Sequence, residues 1–150
     1  MNKSVIEEKV LLVVERLKNL QRPDNETDIK STMPDGGRSI GLYERDFGME
    51  PWDWPQGVGL YGMYNLYLLN NDENIMSFLK DWYNNHLKKG LPVRNINTSA
   101  PLLTLSNILD NVDSELSEEC EKWAEWLINE LPKTKDNGFQ HVTTGNAELG

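Results

Sequence analysis

The sequence predicts an all-α fold, a toroid of antiparallel helical hairpins with an inner ring of helices inside an outer one. Three observations predict it. Stretches without a single charge alternate with charged amphipathic stretches, the alternation recurs after 41 residues, and the conspicuous aromatic and polar residues fall in the loops between them. A helix free of charge on every side needs protein around it, whereas a charged amphipathic helix needs protein on one face and water on the other. An open solenoid exposes a face of both helices in each pair, so it has no place for one that is charge-free all round. A closed ring does.

The first helix is expected over 4–20, where Ser4 and Glu7 form a capping box and Ile6, Val10, Val13, Val14 and Leu17 recur at helical spacing. Residues 22–56 read as irregular, with "MPDGGRS" a turn by its own chemistry. A connection of that length is more often functional than idle. From Trp54 to Asn71 there is no charge, and a helix over 57–70 buried on all sides is expected. Pro55, Gln56, the glycines and several Asn argue against a membrane span there. Gly59 and Gly62 share a face on which another backbone can approach closely.

Asp72 then caps an amphipathic helix over 73–88, with Ile75, Leu79 and Trp82 as its stripe and Gly90 and Pro92 as its end. "NINTSAPLLTLSNIL" is again free of charge and predicts a helix over 99–110. Asp113 opens a charged helix over 114–131, which Pro132 ends. Shifted by 41 residues, Asp72 falls on Asp113, Ile75 on Leu116, Leu79 on Cys120 and Trp82 on Trp123. A period of that size marks a helical-hairpin repeat. Tyr61 and Leu103, on the charge-free helices, are expected to be more buried than Glu118 and Lys80.

Composition narrows the function. The 150 residues suffice for one ordinary domain or part of a larger one. The formal charge of −9 has the wrong sign for a nucleic-acid footprint or an anionic membrane. Cys120 is the one cysteine, which excludes an internal disulfide and any cysteine-rich zinc site. Two histidines are too few for most histidine-based metal sites, so no metal is expected. The opening "MNKSVIEEKVLLVVERLKNL" does not read as a signal peptide. A cytoplasmic enzyme or binding module is the expectation.

In a toroid of antiparallel hairpins every outer-to-inner loop lies at one end. Here those loops are roughly 43–56, 88–98 and 132–150, and they carry Trp54, Asn97 and His141, spaced by 43 and 44 positions. An aromatic plate, an amide and an imidazole therefore meet at one mouth, ringed by helix N-termini that favour an anion. Aromatic faces, amides and an imidazole suit a sugar, and the dipoles favour an acidic one. Trp52 and Trp54 equally fit the packing of a loop onto the barrel, and Asn97 equally fits a helix cap. Trp82, Trp123 and Trp126 read as core, His86 as a helix-surface residue and Cys120 as an inert buried thiol. Tyr61, Tyr64 and Tyr67 either line the lumen or fill it.

Together, "WDWPQGVGLYGMYNLY", "NINTSAPLLTL" and "GFQHVTTGNAELG" resemble glycoside hydrolase family 105, the unsaturated rhamnogalacturonyl hydrolases. The resemblance runs from Trp52 onward, and family 88, the unsaturated glucuronyl hydrolases, shares it. It implies a closed (α/α)6 barrel of six hairpins, of which residues 1–150 are an incomplete N-terminal part. It also implies release of a 4,5-unsaturated uronic acid from the non-reducing end of lyase-generated oligosaccharides. An aspartic acid protonates C4 of the enol ether, water adds at C5, and the hemiketal opens. No metal or organic cofactor is implied, and the partner is an acidic oligosaccharide.

By motif, Trp54 stacks on the unsaturated sugar, His141 contacts it, and Trp52 and Asn97 complete the substrate-binding group. Asn97 stands where several members have a second aspartate. The resemblance places the catalytic acid beyond Gly150; Asp46, Asp53 and Glu148 are the nearby carboxylates, and none matches its position.

Two other readings compete. A sugar epimerase of the N-acylglucosamine type works with a pair of histidines, and here only His141 is suitably placed. A helical-repeat interaction module would line a concave groove with its conspicuous residues, which here cluster in loops at one end.

Overall fold

The computed structural model of the protein describes residues 3–20 and 48–140. The chain divides into two units, Met1–Pro51 and Trp52–Gly150. His141, Asp46 and Glu148 lie outside the described residues, as does "MPDGGRS".

In the first unit, α1 spans Lys3–Lys18. It begins a residue before the expected cap at Ser4, and Glu7 pairs with Lys3 at 3.7 Å. Arg16 and Lys18 sit in the last turn, where cations suit the negative end of the helix dipole. Val10, Val14 and Leu17 follow one i, i+4, i+7 line and are at least partly covered, whereas Ile6 and Val13 are exposed. The covered stripe is narrower than the sequence suggests.

The second unit holds two helical hairpins. α2 (Trp54–Asn70) and α3 (Glu73–Lys89) form the first; α4 (Leu102–Asn107), a short 3-10 turn (Leu109–Asn111) and α5 (Ser114–Asn129) form the second. Among the described residues there is no strand, only one antiparallel bridge between Lys133 and Phe139. α2 packs on α3 and α4, and α5 on α3 and α4.

Local chemistry explains the ends. α2 starts a turn earlier than expected because Asp53 caps it and Pro55 is tolerated in a first turn, where its missing N–H costs nothing. It stops at Asn71, which adopts φ 51° and donates its N–H to the Tyr67 carbonyl at 2.7 Å. Asp72 follows at once and accepts from the Asn74 N–H at 3.0 Å, so two residues turn the chain into α3. α3 ends at Gly90, whose φ of 90° suits a residue without a Cβ.

The repeat survives in the packing. Ile75 and Leu116, Leu79 and Cys120, and Trp82 and Trp123 are all buried, so matching positions of α3 and α5 face the core.

Two expectations fail. α4 covers Leu102–Asn107 rather than 99–110: residues 95–99 are taken by side chain-to-backbone hydrogen bonds that compete with a helix, and 109–111 tighten into the 3-10 turn. The charge-free helices are not enclosed either. α2 buries Gln56, Gly57, Leu60 and Met63 along one face, while Tyr61 is 40% exposed and Leu103 on α4 is 53% exposed. Both are more open than half-buried Lys80. Freedom from charge permits enclosure; which side is covered depends on the neighbours present, and here α3 and α4 cover one side.

Candidate substrate-binding site

The segment 52–57 and the turn 95–101 form a seam. The indole N–H of Trp52 donates to the Thr98 carbonyl at 2.7 Å. Five residues on, Gly57 lies against the other end of the same turn. A Cβ at Gly57 would stand 2.7 Å from the Ala100 carbonyl carbon and 2.8 Å from the Pro101 nitrogen. Trp54 sits between these two attachments in sequence, and Asn97 directly precedes Thr98. A close backbone approach is made by Gly57, whereas Gly62, one of the two glycines to which it was assigned, faces open space.

Trp54 opens α2 and is 46% exposed, which leaves indole surface available to a ligand. Its backbone N–H donates to the Asp53 carboxylate at 2.7 Å. Asp53, weighed from sequence as a nearby carboxylate, is buried at this cap. Its negative charge lies at the positive end of α2 and offsets that dipole. α4 is six residues long and starts at Pro101 without a side-chain cap. The first turns of α2 and α4 therefore attract an anion less than the sequence suggests.

Asn97 is half-buried. The capping work ascribed to it is done by Asn95, whose Oδ1 accepts from the Asn97 N–H at 2.8 Å and from the Thr98 N–H at 3.0 Å. Thr98 Oγ1 accepts from the Asn95 N–H and donates to the Val93 carbonyl at 2.9 Å. Among the described residues the Asn97 side-chain amide makes no hydrogen bond. It is held in place by its neighbours and left over for something else.

The structure corrects two sequence assignments. Trp52, grouped with the substrate-contacting residues, is only 6% exposed. It stacks on Trp82 with ring centroids 5.1 Å apart and meets Tyr83 and Trp123 at 5.7 and 6.4 Å. It takes the packing role. His86, read as a surface residue, is buried, with its ring centroid 3.9 Å from that of Trp82. Its Nδ1 lies 2.9 Å from the Trp82 carbonyl one turn earlier. The sequence stripe Ile75, Leu79, Trp82 extends by one more turn to His86, a continuation its polar ring conceals.

Tyr83, missed in the sequence, donates its hydroxyl to the Pro101 carbonyl at 2.7 Å and so ties α3 to the turn. Burial pushes its phenol well above the ordinary value of 10.0. Burial, and then Glu121, push the Cys120 thiol up as well, as suits an inert thiol. The Arg94 guanidinium lies 5.5 Å over the Trp123 ring.

The third loop is described as far as Gln140. Asn137, at φ 67°, and Gly138 form a turn, closed by the Thr134 N–H donating to the Gly138 carbonyl at 2.7 Å. The Gln140 N–H donates to the Pro132 carbonyl at 2.9 Å. Among the described residues no three metal-ligating side chains gather, and no helix is long and apolar enough to cross a membrane.

Comparison with known proteins identifies the frame. The family model described as Glycosyl Hydrolase Family 88 matches residues 40–149. The unsaturated rhamnogalacturonyl hydrolase YesR of Bacillus subtilis (strain 168) is 31% identical over 105 residues, covering 67% of this chain and 30% of that protein. A crystal structure from Salmonella enterica serovar Paratyphi A, described as a possible member of the GH105 family, superposes with a TM-score of 0.75 at 28% identity. It is covered over 36% of its length by 96% of this chain. A second possible GH105 member, from Klebsiella pneumoniae, gives 0.73 and 27% with the same coverage. The chain thus spans about a third of the length of these relatives, and its hairpins correspond to part of an (α/α)6 barrel. By sequence and fold, the chain belongs to glycosyl hydrolase family 88 and is similar to its GH105-type relatives.

Proposed function

We propose that the protein to which this barrel segment belongs removes a 4,5-unsaturated uronic acid from the non-reducing end of lyase-generated oligosaccharides. The preferred substrate in this reading is of the unsaturated rhamnogalacturonan type. The observation that carries it is the seam, which holds an exposed indole, Trp54, and an uncommitted amide, Asn97, on two tethered segments. The likeness to a curated unsaturated rhamnogalacturonyl hydrolase supports the substrate class.

In this reading Trp54 stacks on the sugar, Asn97 and His141 hydrogen-bond it, and Trp52 supports them from beneath. The acid stands on the inner helix that follows the histidine loop. It protonates C4, water adds at C5, and the hemiketal opens to release the neighbouring sugar. That acid must hold its proton near neutral pH, which apolar burial achieves. Asn97 contributes a hydrogen bond but no charge, so it does not raise the acid's pKa as a carboxylate there would. A proton donor and water suffice for the step, with no cofactor. An acidic chain with a single cysteine suits a reducing cytoplasm, where such lyase products would be consumed.

The test is direct. Full-length protein is incubated with lyase-cleaved pectin fragments while the ultraviolet absorbance of the enol ether is followed. A decline supports the hydrolase. Constant absorbance, together with tight capture of a peptide, supports a helical-repeat interaction module. The family 88 match favours one second reading, an unsaturated glucuronyl hydrolase. A higher kcat/KM on unsaturated glucuronyl than on rhamnogalacturonyl substrates would establish that alternative.

A further inference from the structure

We propose that Trp52 is a positioning residue whose indole N–H latches the segment ending in Trp54 onto the turn that presents Asn97. The two would then meet a sugar as one unit. The inference rests on the functional reading above and deepens it.

Trp52 does not present itself to a ligand. It is 6% exposed and packs among Trp82, Tyr83, His86 and Trp123. Its one donor is nevertheless spent on a backbone carbonyl 46 positions away, belonging to the residue directly after Asn97.

Both ends of this bond are stiff. On one side, Trp52 is wedged by its ring contacts, and the Asp53 cap fixes the start of α2 two residues on. On the other, Asn95 Oδ1 grips the backbone N–H groups of both Asn97 and Thr98, while Thr98 Oγ1 ties back to Asn95 and Val93. A displacement of the Thr98 carbonyl therefore carries Asn97 with it. The contact of Gly57 with Ala100 and Pro101 closes the seam at its other end, and the Tyr83 hydroxyl holds Pro101 from α3. Of these contacts, the Trp52 bond joins the neighbourhood of Trp54 most directly to that of Asn97.

Trp52→Phe in the full-length protein keeps an aromatic ring against Trp82 and removes the donor together with part of the indole's volume. A double-mutant cycle cancels the shared cost of that cavity and so carries the test. Losing one hydrogen bond that acts through position predicts a fall in kcat/KM of about tenfold. The deciding readout is a double-mutant cycle with Asn97→Ala, since a latch that works through Asn97 has little left to misplace once the amide is gone. We expect W52F to cost less than about threefold in the N97A background. Hydrogen exchange at the Asn97 and Thr98 amides should also accelerate about tenfold in W52F, because their turn loses its outside anchor.

A purely structural role would lower the melting temperature but leave the W52F factor the same in both backgrounds, and that outcome overturns the latch. Gly57→Ala attacks the seam from its other end and provides the same cycle should W52F not fold; strictly multiplicative losses there would overturn the proposal equally. If the unmodified protein leaves the enol ether untouched, the functional reading fails. The exchange measurement then still decides the latch, and unchanged rates at Asn97 and Thr98 overturn it.

Discussion

Gly57 and Ala100 meet backbone to backbone: a methyl group on residue 57 would stand 2.7 Å from the Ala100 carbonyl carbon and 2.9 Å from the Ala100 Cβ. The two nearest atoms, the Ala100 carbonyl carbon and the Pro101 nitrogen, are main chain, which does not step aside as the tip of a flexible side chain would. Gly57→Ala is therefore expected to destabilise the fold by about 1–3 kcal/mol, the usual scale of overpacking. At Gly62, also within α2, an added methyl meets nothing within 4 Å. Gly62→Ala should stabilise by roughly 0.5–1 kcal/mol through helix propensity. Urea unfolding midpoints of the two variants check the opposite signs; a shift in the same direction for both would contradict the close approach.

His86 lies against Trp82 in the aromatic core, so His86→Ala should lower stability by about 1–3 kcal/mol, as truncations in packed interiors do. In the full-length protein its effect on turnover at low temperature should be slight. Trp54→Ala and His141→Ala should do the reverse, each reducing turnover by about one to three orders of magnitude with the fold intact. Paired melting and kinetic measurements on the three variants separate these roles. Equal losses of activity in all three would misplace the site.

Tyr83 predicts an alkaline limit. Burial holds its proton well above the ordinary 10.0, whereas the unfolded chain releases it near that value. Above about pH 10 the unfolded state therefore binds fewer protons, and stability falls as pH rises; below it this contribution is constant. Cys120, raised above its ordinary 9.0, acts in the same direction from a lower onset. Tyr83→Phe should begin about 1–3 kcal/mol less stable, because the Pro101 carbonyl loses its donor. It should then lose less between pH 9.5 and 11.5. Urea midpoints of both proteins across this window test it, and parallel slopes would rule out the tyrosine as a source.

The open side of the charge-free helices has a practical consequence. Val58 and Leu68 are exposed, and Leu69 at the end of α2 is 84% exposed, alongside Tyr61 and Leu103. Apolar surface of this kind is uncommon on soluble monomers beyond a few hundred Å² and drives association. Residues 1–150 expressed alone should bind an apolar-surface dye, sediment as more than a monomer and leave the enol-ether absorbance unchanged. A dye-silent monomer that consumes the unsaturated uronate would refute both the exposure and the placement of the acid outside this segment.

By itself, the sequence determined the all-α class, the hairpin repeat and the outer-helix core. Those features are written in local spacing: Ile75, Leu79 and Trp82 lie on one stripe whatever they touch, and Asp72 caps its helix through a bond to a residue two positions away. The motifs around Trp54 and Asn97 also singled out two segments that the fold brings into contact. Only the tertiary structure decided which residue of each motif does what. Trp52 and Trp54 stand two positions apart with the same side chain, yet one is locked under Trp82 and bonded to Thr98 while the other is half open.

Asn95 and Asn97 are likewise interchangeable on paper, and the geometry of one turn spends the first amide and spares the second. Gly57, rather than Gly62, meets a backbone because the turn leading into α4 packs against the first turn of α2. Periodicity says that a face must be covered; the partner that covers it comes from tens of residues away, and that choice is made only when the hairpins pack.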